Sequence, residues 1–175
     1  MKINAVMMRG INDDEIIDFA EFGREKGVTV RFIEFMDVGG TNGWTPGQVV
    51  PTSEILDFLS KEFDLVPIMR DSPSDVASRW GHSDGSGEVG FISSVSQPFC
   101  GDCVRARLSS DGKLFTCLFT TLGHDMSELI RDGDDPSKLT EAIREVWTRR
   151  SDRYSEDRSS DAVSLPRVEM SYIGG

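Results

Sequence analysis

Two apolar, partly β-branched runs near the start of the chain limit its possible folds more than any other feature. Residues 3–8 and 28–36 are predicted to be strands, and the segment between them has the apolar spacing of a helix. Asn12 and Glu15 predict a capping box at the helix start, and Gly27 predicts its end. This order is typical of a βαβ unit, whose strands are parallel and whose ligands gather at their carboxyl ends. We therefore predict an α/β fold.

The rest of the chain has the pattern of a mixed, partly antiparallel α+β region. Ser110-Asp111-Gly112 is a hairpin turn signal between two apolar runs. The stretch 71–87 has the composition of a loop. The predicted elements are a helix over 53–63, strands over 65–69 and 88–93, a hairpin over 105–118 and a helix from Asp135.

Charge and hydropathy exclude two classes of partner. A net charge of -11 over 175 residues argues against general nucleic-acid binding, which needs clustered Lys and Arg. No apolar run approaches the roughly 20 residues that span a bilayer, so we expect no membrane span. Arg9 interrupts the first apolar run before it is long enough for a secretory signal, and we expect a cytoplasmic protein.

Three cysteines are the first candidate site. Cys100, Cys103 and Cys117 have the spacing Cys-x2-Cys-x13-Cys, and the predicted hairpin would bring the third sulfur back toward the first two. Thiolates favour zinc or iron–sulfur clusters, and three of them leave one position open. Two alternatives stay open here: a zinc site completed by His82 or His124, and a Cys117 that is simply buried beside a redox or coincidental CxxC pair.

Two arginines follow the cysteine pair. Arg105 and Arg107 alternate along the predicted strand and would point to one face beside the metal site. Guanidinium groups bind phosphate in a bidentate manner and stay charged, so this pair could hold a triphosphate. The alternative is a pair of surface salt bridges.

Three segments carry a family resemblance that covers nearly the whole chain in a constant order. They are RFIEFMDVG from Arg31, GFISSVSQPFCGDCVRARLSSDGKLFTCLF from Gly90 and the terminal YIGG. Together they resemble the GTP 3',8-cyclases, the molybdenum cofactor biosynthesis protein A family. Members are radical S-adenosylmethionine enzymes that convert GTP to 3',8-cyclo-7,8-dihydro-GTP in the first step of molybdenum cofactor (molybdopterin) biosynthesis.

The resemblance implies a set of site residues. It implies that Cys100, Cys103 and Cys117 hold a second [4Fe-4S] cluster whose iron without cysteine contacts guanine. It implies that Met36 contacts S-adenosylmethionine and that Gly174 and Gly175, the catalytic pair, reach into the active site. The GTP-binding residues that it implies are Lys2, Arg31, Arg105, Ala106 and Arg107.

The sequence also departs from the family. No cysteine precedes Cys100, so the Cys-x3-Cys-x2-Cys motif of the radical-generating cluster is missing. The resemblance therefore implies the carboxyl-terminal part of the enzyme, inactive alone: residues 1–50 would be the last strands and helix of an incomplete β/α (TIM-like) barrel, and residues 51–175 the iron–sulfur and GTP-binding region. The implied partners are GTP, the amino-terminal radical half, cyclic pyranopterin monophosphate synthase downstream and a second copy in a homodimer.

A second hypothesis comes from a different class of protein. Loss of the radical half would leave a noncatalytic nucleotide-binding module or a small zinc-binding module.

The fragment is also expected to expose strand edges. Strands 3–8 and 28–36 would lack barrel neighbours, and exposed strand edges promote association. We therefore expect the isolated chain to be poorly soluble or to self-associate.

Overall fold

A computed structural model describes residues 1–133, 135–157 and 168–173. They divide into two compact units. The sheet unit consists of Met1–Met36 and Trp44–Cys103. The hairpin unit consists of Asp37–Gly43 and the described residues from Val104 onward.

The sheet unit is a five-stranded mixed sheet with two helices, which confirms the predicted α/β class. Strands β1, β2 and β5 are parallel, while β4 pairs antiparallel with both β5 and β3. The strand order is β1-β2-β5-β4-β3. In chain order the elements are β1 (Lys2–Met7), α1 (Ile16–Lys26), β2 (Thr29–Glu34), α2 (Thr52–Glu62), β3 (Leu65–Ile68), β4 (Ser78–His82) and β5 (Glu88–Ile92).

The core of this unit lies between the two helices and one face of the sheet. Side chains alternate across a strand, and Val30 and Phe32 of β2 are fully buried on the helix-covered face. They form one apolar cluster with residues of α1, α2 and the neighbouring strands, namely Ala5, Met7, Ile16, Ala20, Val50, Ile55, Leu59, Val89 and Phe91. The predicted βαβ unit is confirmed, because β1 and β2 pair in parallel on either side of α1.

Helix α1 ends as predicted but begins differently. Gly27 has a φ of 63°, and its N–H group bonds to the helix carbonyls. The capping box is wrong, because Asn12 turns its side chain back to β1. The Asn12 Oδ1 atom accepts from the Met8 N–H group at 2.8 Å, and its Nδ2 atom donates to the Val6 carbonyl at 3.0 Å. The Asn12 side chain is therefore hydrogen bonded to the backbone at the end of β1 and does not cap the helix.

Strand β4 lies inside the segment that was predicted to be a loop. Trp80 pairs with Val89 of β5 on one side and with Pro67 of β3 on the other. The residues of β4 show no apolar alternation, so their sequence carries no strand signal. Two neighbouring strands supply the hydrogen-bond partners that make this segment extended.

The hairpin unit contains a small antiparallel sheet and two helices. Its strands are β6 (Arg107–Leu108), β7 (Lys113–Phe115) and β8 (His124–Asp125), paired in that order. The predicted hairpin is confirmed, and Gly112 at its turn has a φ of 88°. The helices are α3 (Ser127–Asp132) and α4 (Pro136–Arg149), and Asp135 caps α4 by accepting from the Ser137 N–H group at 3.0 Å.

Two further elements of the hairpin unit have no counterpart in the sequence-based prediction. Both β8 and α3 are too short to show a clear period.

Within the described residues, no helix has the length and apolar character needed to cross a membrane.

Candidate functional site

The carboxyl end of β2 is organised by a buried carboxylate. Glu34 is fully buried at the last position of the strand. Its Oε1 atom accepts from the Thr52 N–H group at 2.8 Å, and its Oε2 atom accepts from the Val95 and Ser96 N–H groups at 2.8 Å each. A carboxylate with this many donors stays satisfied without water. Glu34 thus joins β2 to the start of α2 and to the loop after β5.

Sequence reasoning missed Glu34 as part of this region. The available signal was an acidic residue inside an otherwise apolar run, RFIEFM. Buried acids are rare unless they are paired or hydrogen bonded. Met36, for which the resemblance implies an S-adenosylmethionine contact, follows two residues later and is half-buried. It lies at the edge of the sheet where parallel strands present ligands.

Lys2 and Arg31 lie on the sheet face opposite the helices. Lys2 pairs with Thr29, and Arg31 follows Thr29 by two residues, so all three side chains share one face. Lys2 is exposed, whereas Arg31 is half-buried. The structure therefore brings two of the predicted GTP-binding residues to the same surface.

A charged network continues this face across β5 and β4. The Glu88 carboxylate accepts from Arg79 at 2.7 Å and from the Thr29 hydroxyl at 3.2 Å. The Arg79 hydrogen bond lowers the pKa of Glu88 below its ordinary value, and the positive charge of Lys2 lowers this pKa slightly further. Lys2 thus lies within electrostatic reach of an ionised carboxylate.

Gly90 leaves room for the Arg31 side chain. The two residues are directly paired between β5 and β2. A Cβ atom on Gly90 would lie 3.1 Å from Cγ of Arg31, which is closer than normal side-chain packing. The absence of a side chain at position 90 therefore allows Arg31 to lie along the neighbouring strand.

The three cysteines are distributed over both units. Cys100 and Cys103 belong to the sheet unit and are joined by a turn in which the Cys103 N–H group donates to the Cys100 carbonyl at 3.2 Å. Cys117 belongs to the hairpin unit and accepts from the Phe119 N–H group at 3.5 Å. All three are partly exposed thiols outside any disulfide. Among the described residues, no group of three or more His, Cys, Asp or Glu side chains is close enough to hold a metal ion.

Two details of the predicted cysteine hairpin are wrong. Cys117 was predicted on the returning strand, but β7 ends at Phe115 and Cys117 lies in the following bend. Arg105 and Arg107 were predicted to alternate along one strand, but β6 contains only Arg107 and Leu108. The arginine pair therefore does not share a strand face. The hairpin is short: two residue pairs join β6 to β7.

The histidines lie in different units. His82 is 6% exposed in β4 and contacts the ring of Phe63 edge-on, with 5.3 Å between ring centroids. His124 lies exposed in β8 of the hairpin unit. Burial lowers the pKa of His82, the positive charge of Arg24 adds to this effect and Asp84 opposes it. His82 is therefore a packed side chain of the sheet unit.

Comparison with known proteins identifies the family. The Molybdenum Cofactor Synthesis C family model matches residues 28–156. A GTP 3',8-cyclase of Synechococcus sp. (strain CC9902) is 46% identical over all of this chain and 51% of its own length. The GTP 3',8-cyclases of Acidothermus cellulolyticus and Xanthomonas axonopodis pv. citri are 44% and 47% identical, with 55% and 52% of their lengths covered. The chain spans about half the length of these curated relatives, and it belongs to the Molybdenum Cofactor Synthesis C family.

Proposed function

We propose that this chain is the GTP-anchoring, iron–sulfur part of a GTP 3',8-cyclase. The complete enzyme would convert GTP with S-adenosylmethionine to 3',8-cyclo-7,8-dihydro-GTP, the first step of molybdenum cofactor biosynthesis. The observation that carries this proposal is the placement of Lys2 and Arg31 on one sheet face, opposite the helices. The similarity of the entire chain to enzymes of that name supports it.

Basic side chains would hold the triphosphate. Lys2 supplies an exposed ammonium group, and Arg31 supplies a guanidinium group in the space beside Gly90. Arg105, Ala106 and Arg107 would contribute from the segment that leads into β6. Holding a phosphate chain at fixed cationic groups orients the attached ribose, and orientation lowers the barrier of a subsequent reaction.

Three thiols would hold the [4Fe-4S] cluster. The donor set fits, because Cys100, Cys103 and Cys117 are all thiols and thiolates are the ordinary ligands of such clusters. The backbone N–H group that points at the Cys117 sulfur is the kind of donor that stabilises a thiolate ligand. When bound, a cluster with one iron not held by cysteine supplies a Lewis-acidic position for an atom of the guanine ring.

The remaining assignments come from the family resemblance. Met36 would contact S-adenosylmethionine at the carboxyl end of β2. Gly174 and Gly175 would form the catalytic tail, and both lie outside the described residues. Residues 1–50 would be the last strands and helix of an incomplete β/α barrel, an assignment that the parallel β1–α1–β2 unit supports, and residues 51–175 would form the iron–sulfur and GTP-binding region.

The proposed reaction requires partners. An amino-terminal half with the Cys-x3-Cys-x2-Cys motif would generate the radical, and cyclic pyranopterin monophosphate synthase would consume the product. The proposal places the protein in the cytoplasm and includes assembly into a homodimer. The net charge of -11 argues against general nucleic-acid binding, and a small anionic ligand would bind at a local basic site.

Anaerobic reconstitution with iron and sulfide, followed by GTP titration, tests the proposal. We expect about four irons per chain, as a [4Fe-4S] cluster requires, and loss of both cluster and tight GTP binding in Cys117→Ala. Arg31→Ala, Arg105→Ala and Arg107→Ala should keep the iron but weaken GTP binding by roughly tenfold or more, because each removes a charge-assisted hydrogen bond.

The matched control is Arg24→Ala. Arg24 is a surface arginine of the sheet unit that pairs with Asp84 and Ser86, so its removal should leave GTP affinity unchanged. Equal affinity for GTP in wild type and in all three arginine variants would refute the assignment. Bound zinc with no GTP binding would support the alternative of a noncatalytic zinc-binding module, and GTP binding without turnover in the completed enzyme would support a nucleotide-binding module.

A further inference from the structure

The last described segment, residues 168–173, is held at two points within the hairpin unit. We call this segment the terminal strap. At the first point, the Glu169 Oε1 atom accepts from the Gly40 N–H group at 2.8 Å, and its Oε2 atom accepts from the Thr41 hydroxyl at 3.3 Å. Gly39 has a φ of 68°, and a Cβ atom there would collide with the Glu169 carboxylate. The loop at 39–41 therefore supplies the hydrogen-bond donors for the Glu169 carboxylate and leaves room for it at Gly39.

The second point of attachment is the turn of the β6–β7 hairpin. The Tyr172 hydroxyl donates to the Asp111 carboxylate, whose oxygens lie 2.7 and 2.9 Å away. The Lys113 ammonium group lies 3.3 Å from the same hydroxyl and 3.1 Å from Asp111. The Tyr172 ring contacts Phe115 edge-on at 6.1 Å between centroids. The Tyr172 hydroxyl thus has hydrogen-bond partners in both members of an ion pair, and its ring packs against an aromatic side chain.

The turn that contains Asp111 keeps its carboxylate ionised. The Ser109 hydroxyl donates to Asp111 Oδ1 at 2.6 Å. This bond is the largest cause that holds the pKa of Asp111 far below its usual range, followed by the bonds from Tyr172 and Lys113. The carboxylate is therefore ionised, and a charged acceptor makes a stronger hydrogen bond with a tyrosine hydroxyl than a neutral one does.

The strap ends in a buried residue. Ile173 is 1% exposed. The N–H groups of Tyr172 and Ile173 donate to the carbonyls of Glu169 and Met170 at 3.0 and 3.2 Å, which closes a turn. The chain therefore enters its last two positions from an anchored residue.

We propose that Glu169 and Tyr172 are positioning residues, which fix the point from which the terminal glycine pair continues. This inference rests on the proposed function, which gives Gly174 and Gly175 their catalytic role. Glycine loses more conformational freedom on ordering than any other residue. An anchor directly before the pair limits its range without placing a side chain at the reacting atoms.

Hydrogen exchange of the 175-residue chain, measured by mass spectrometry on peptides that cover 168–173, tests the anchor. Tyr172→Phe keeps the ring but removes the hydroxyl. We expect exchange of the Tyr172 and Ile173 amides to accelerate by roughly tenfold or more, because a hydrogen bond to a charged acceptor no longer opposes local opening. Asp111→Ala removes the acceptor of this hydroxyl and should act similarly, and the double variant should add little, since both changes remove the same bond.

Tyr154→Phe is the matched control. It removes the other tyrosine hydroxyl of the chain, which donates to Asp37 at 2.7 Å in the same unit, and it should leave exchange of the strap unchanged. At the first point, Glu169→Gln keeps one acceptor oxygen and should accelerate exchange less than Glu169→Ala. Unchanged exchange in Tyr172→Phe, or equal acceleration in Tyr154→Phe, would overturn the anchor.

A kinetic measurement separates positioning from simple stabilisation. In the enzyme completed with its amino-terminal half, Tyr172→Phe and Glu169→Ala should lower kcat several-fold at nearly unchanged KM for GTP, because they move the tail and not the basic residues. Faster exchange with unchanged kcat would leave the strap a structural contact and overturn the positioning role. Wild type without iron or GTP binding would instead refute the proposed function, whatever the exchange of the strap shows.

Discussion

His82 shows how burial changes the chemistry of one residue in the sheet unit. Its side chain is packed against Phe63, and desolvation disfavours the protonated form. Arg24 disfavours that form further, whereas Asp84 favours it. A histidine in this setting makes the free energy of unfolding depend on pH. This effect is separate from any role in metal binding.

We predict that acid destabilises the chain through His82. Its folded-state pKa lies below the unfolded value of about 6.5. Above the unfolded pKa both states are neutral, so His82 has no effect. As the pH falls below it, the unfolded state binds the proton first, so the free energy of unfolding decreases. Urea midpoints measured from pH 7.5 to pH 5 should therefore fall as the pH falls, before most carboxylates titrate.

Two glutamine variants isolate this effect. His82→Gln should flatten the pH dependence of the urea midpoint, even if it lowers the midpoint at neutral pH. His124→Gln makes the same change at an exposed position in β8 and should retain the wild-type slope. An identical slope in wild type and His82→Gln would show that other groups cause the acid destabilisation.

At the scale of the elements, a single side chain connects a strand, a helix and a loop at the carboxyl end of β2. Glu34 connects the end of β2, the start of α2 and the loop after β5. The residue before α2 is Pro51, which makes no side-chain cap, so the Glu34 carboxylate serves the first N–H group of that helix instead. The Ser93 hydroxyl adds a bond to Thr52 at 2.8 Å.

We predict that Glu34→Gln destabilises the chain by about 2–4 kcal/mol, because the amide has a single acceptor oxygen and its NH₂ group would face backbone N–H donors that the carboxylate now serves. Glu54→Gln, in helix α2, is the control. Glu54 is a partly exposed partner of Arg9, so its loss should cost about 1 kcal/mol or less. Urea denaturation measures both values. Equal costs for the two variants would contradict the central role of Glu34.

The elements also show where reading the sequence succeeds. Strands β1 and β2 and helices α1, α2 and α4 were predictable because each has a sustained apolar period or clear terminal residues. Strand β4 and the turn after β1 were not predictable, because their hydrogen bonds go to residues that are distant in sequence or, for Asn12, back to an adjacent strand. Local patterns contain no information about such partners.

At the scale of the whole molecule, the sheet has two unlike edges. In the described part of the chain, β1 and β3 are the outermost strands of the five-stranded sheet. Strand β3 contains Pro67, which has no N–H group to offer to another strand. Strand β1 contains no proline and exposes Val6. Only part of the earlier expectation about lost neighbours holds, because β2 lies between β1 and β5.

We predict concentration-dependent self-association through the β1 edge. Val6→Lys should reduce it, since charged side chains on an edge strand oppose edge-to-edge pairing. Val66→Lys in β3 is the matched control, because Val6 and Val66 are 45% and 46% exposed. Sedimentation velocity over a concentration series measures the effect. A wild-type chain that remains a monomer at every concentration would refute this prediction.

The candidate site was predictable to a different degree from the fold. The types of its residues could be read from the sequence: three thiols, two arginines two positions apart and one basic residue in each of the first two strands. Their geometry could not. The arginines do not share a strand, and Glu34 and the strap residues carry contacts that no spacing indicates.

The sequence alone determined the family, the α/β class and the donor types of the candidate site, because these depend on residue identity and on periods within single elements. The tertiary structure decided which polar groups are shared between elements. Glu34 connects its own strand to a helix and a loop, and Asp111 holds the terminal strap, because each lies beside donors contributed by remote segments. The physical reason is that hydrogen bonds and burial depend on neighbours in space, which a one-dimensional pattern does not specify.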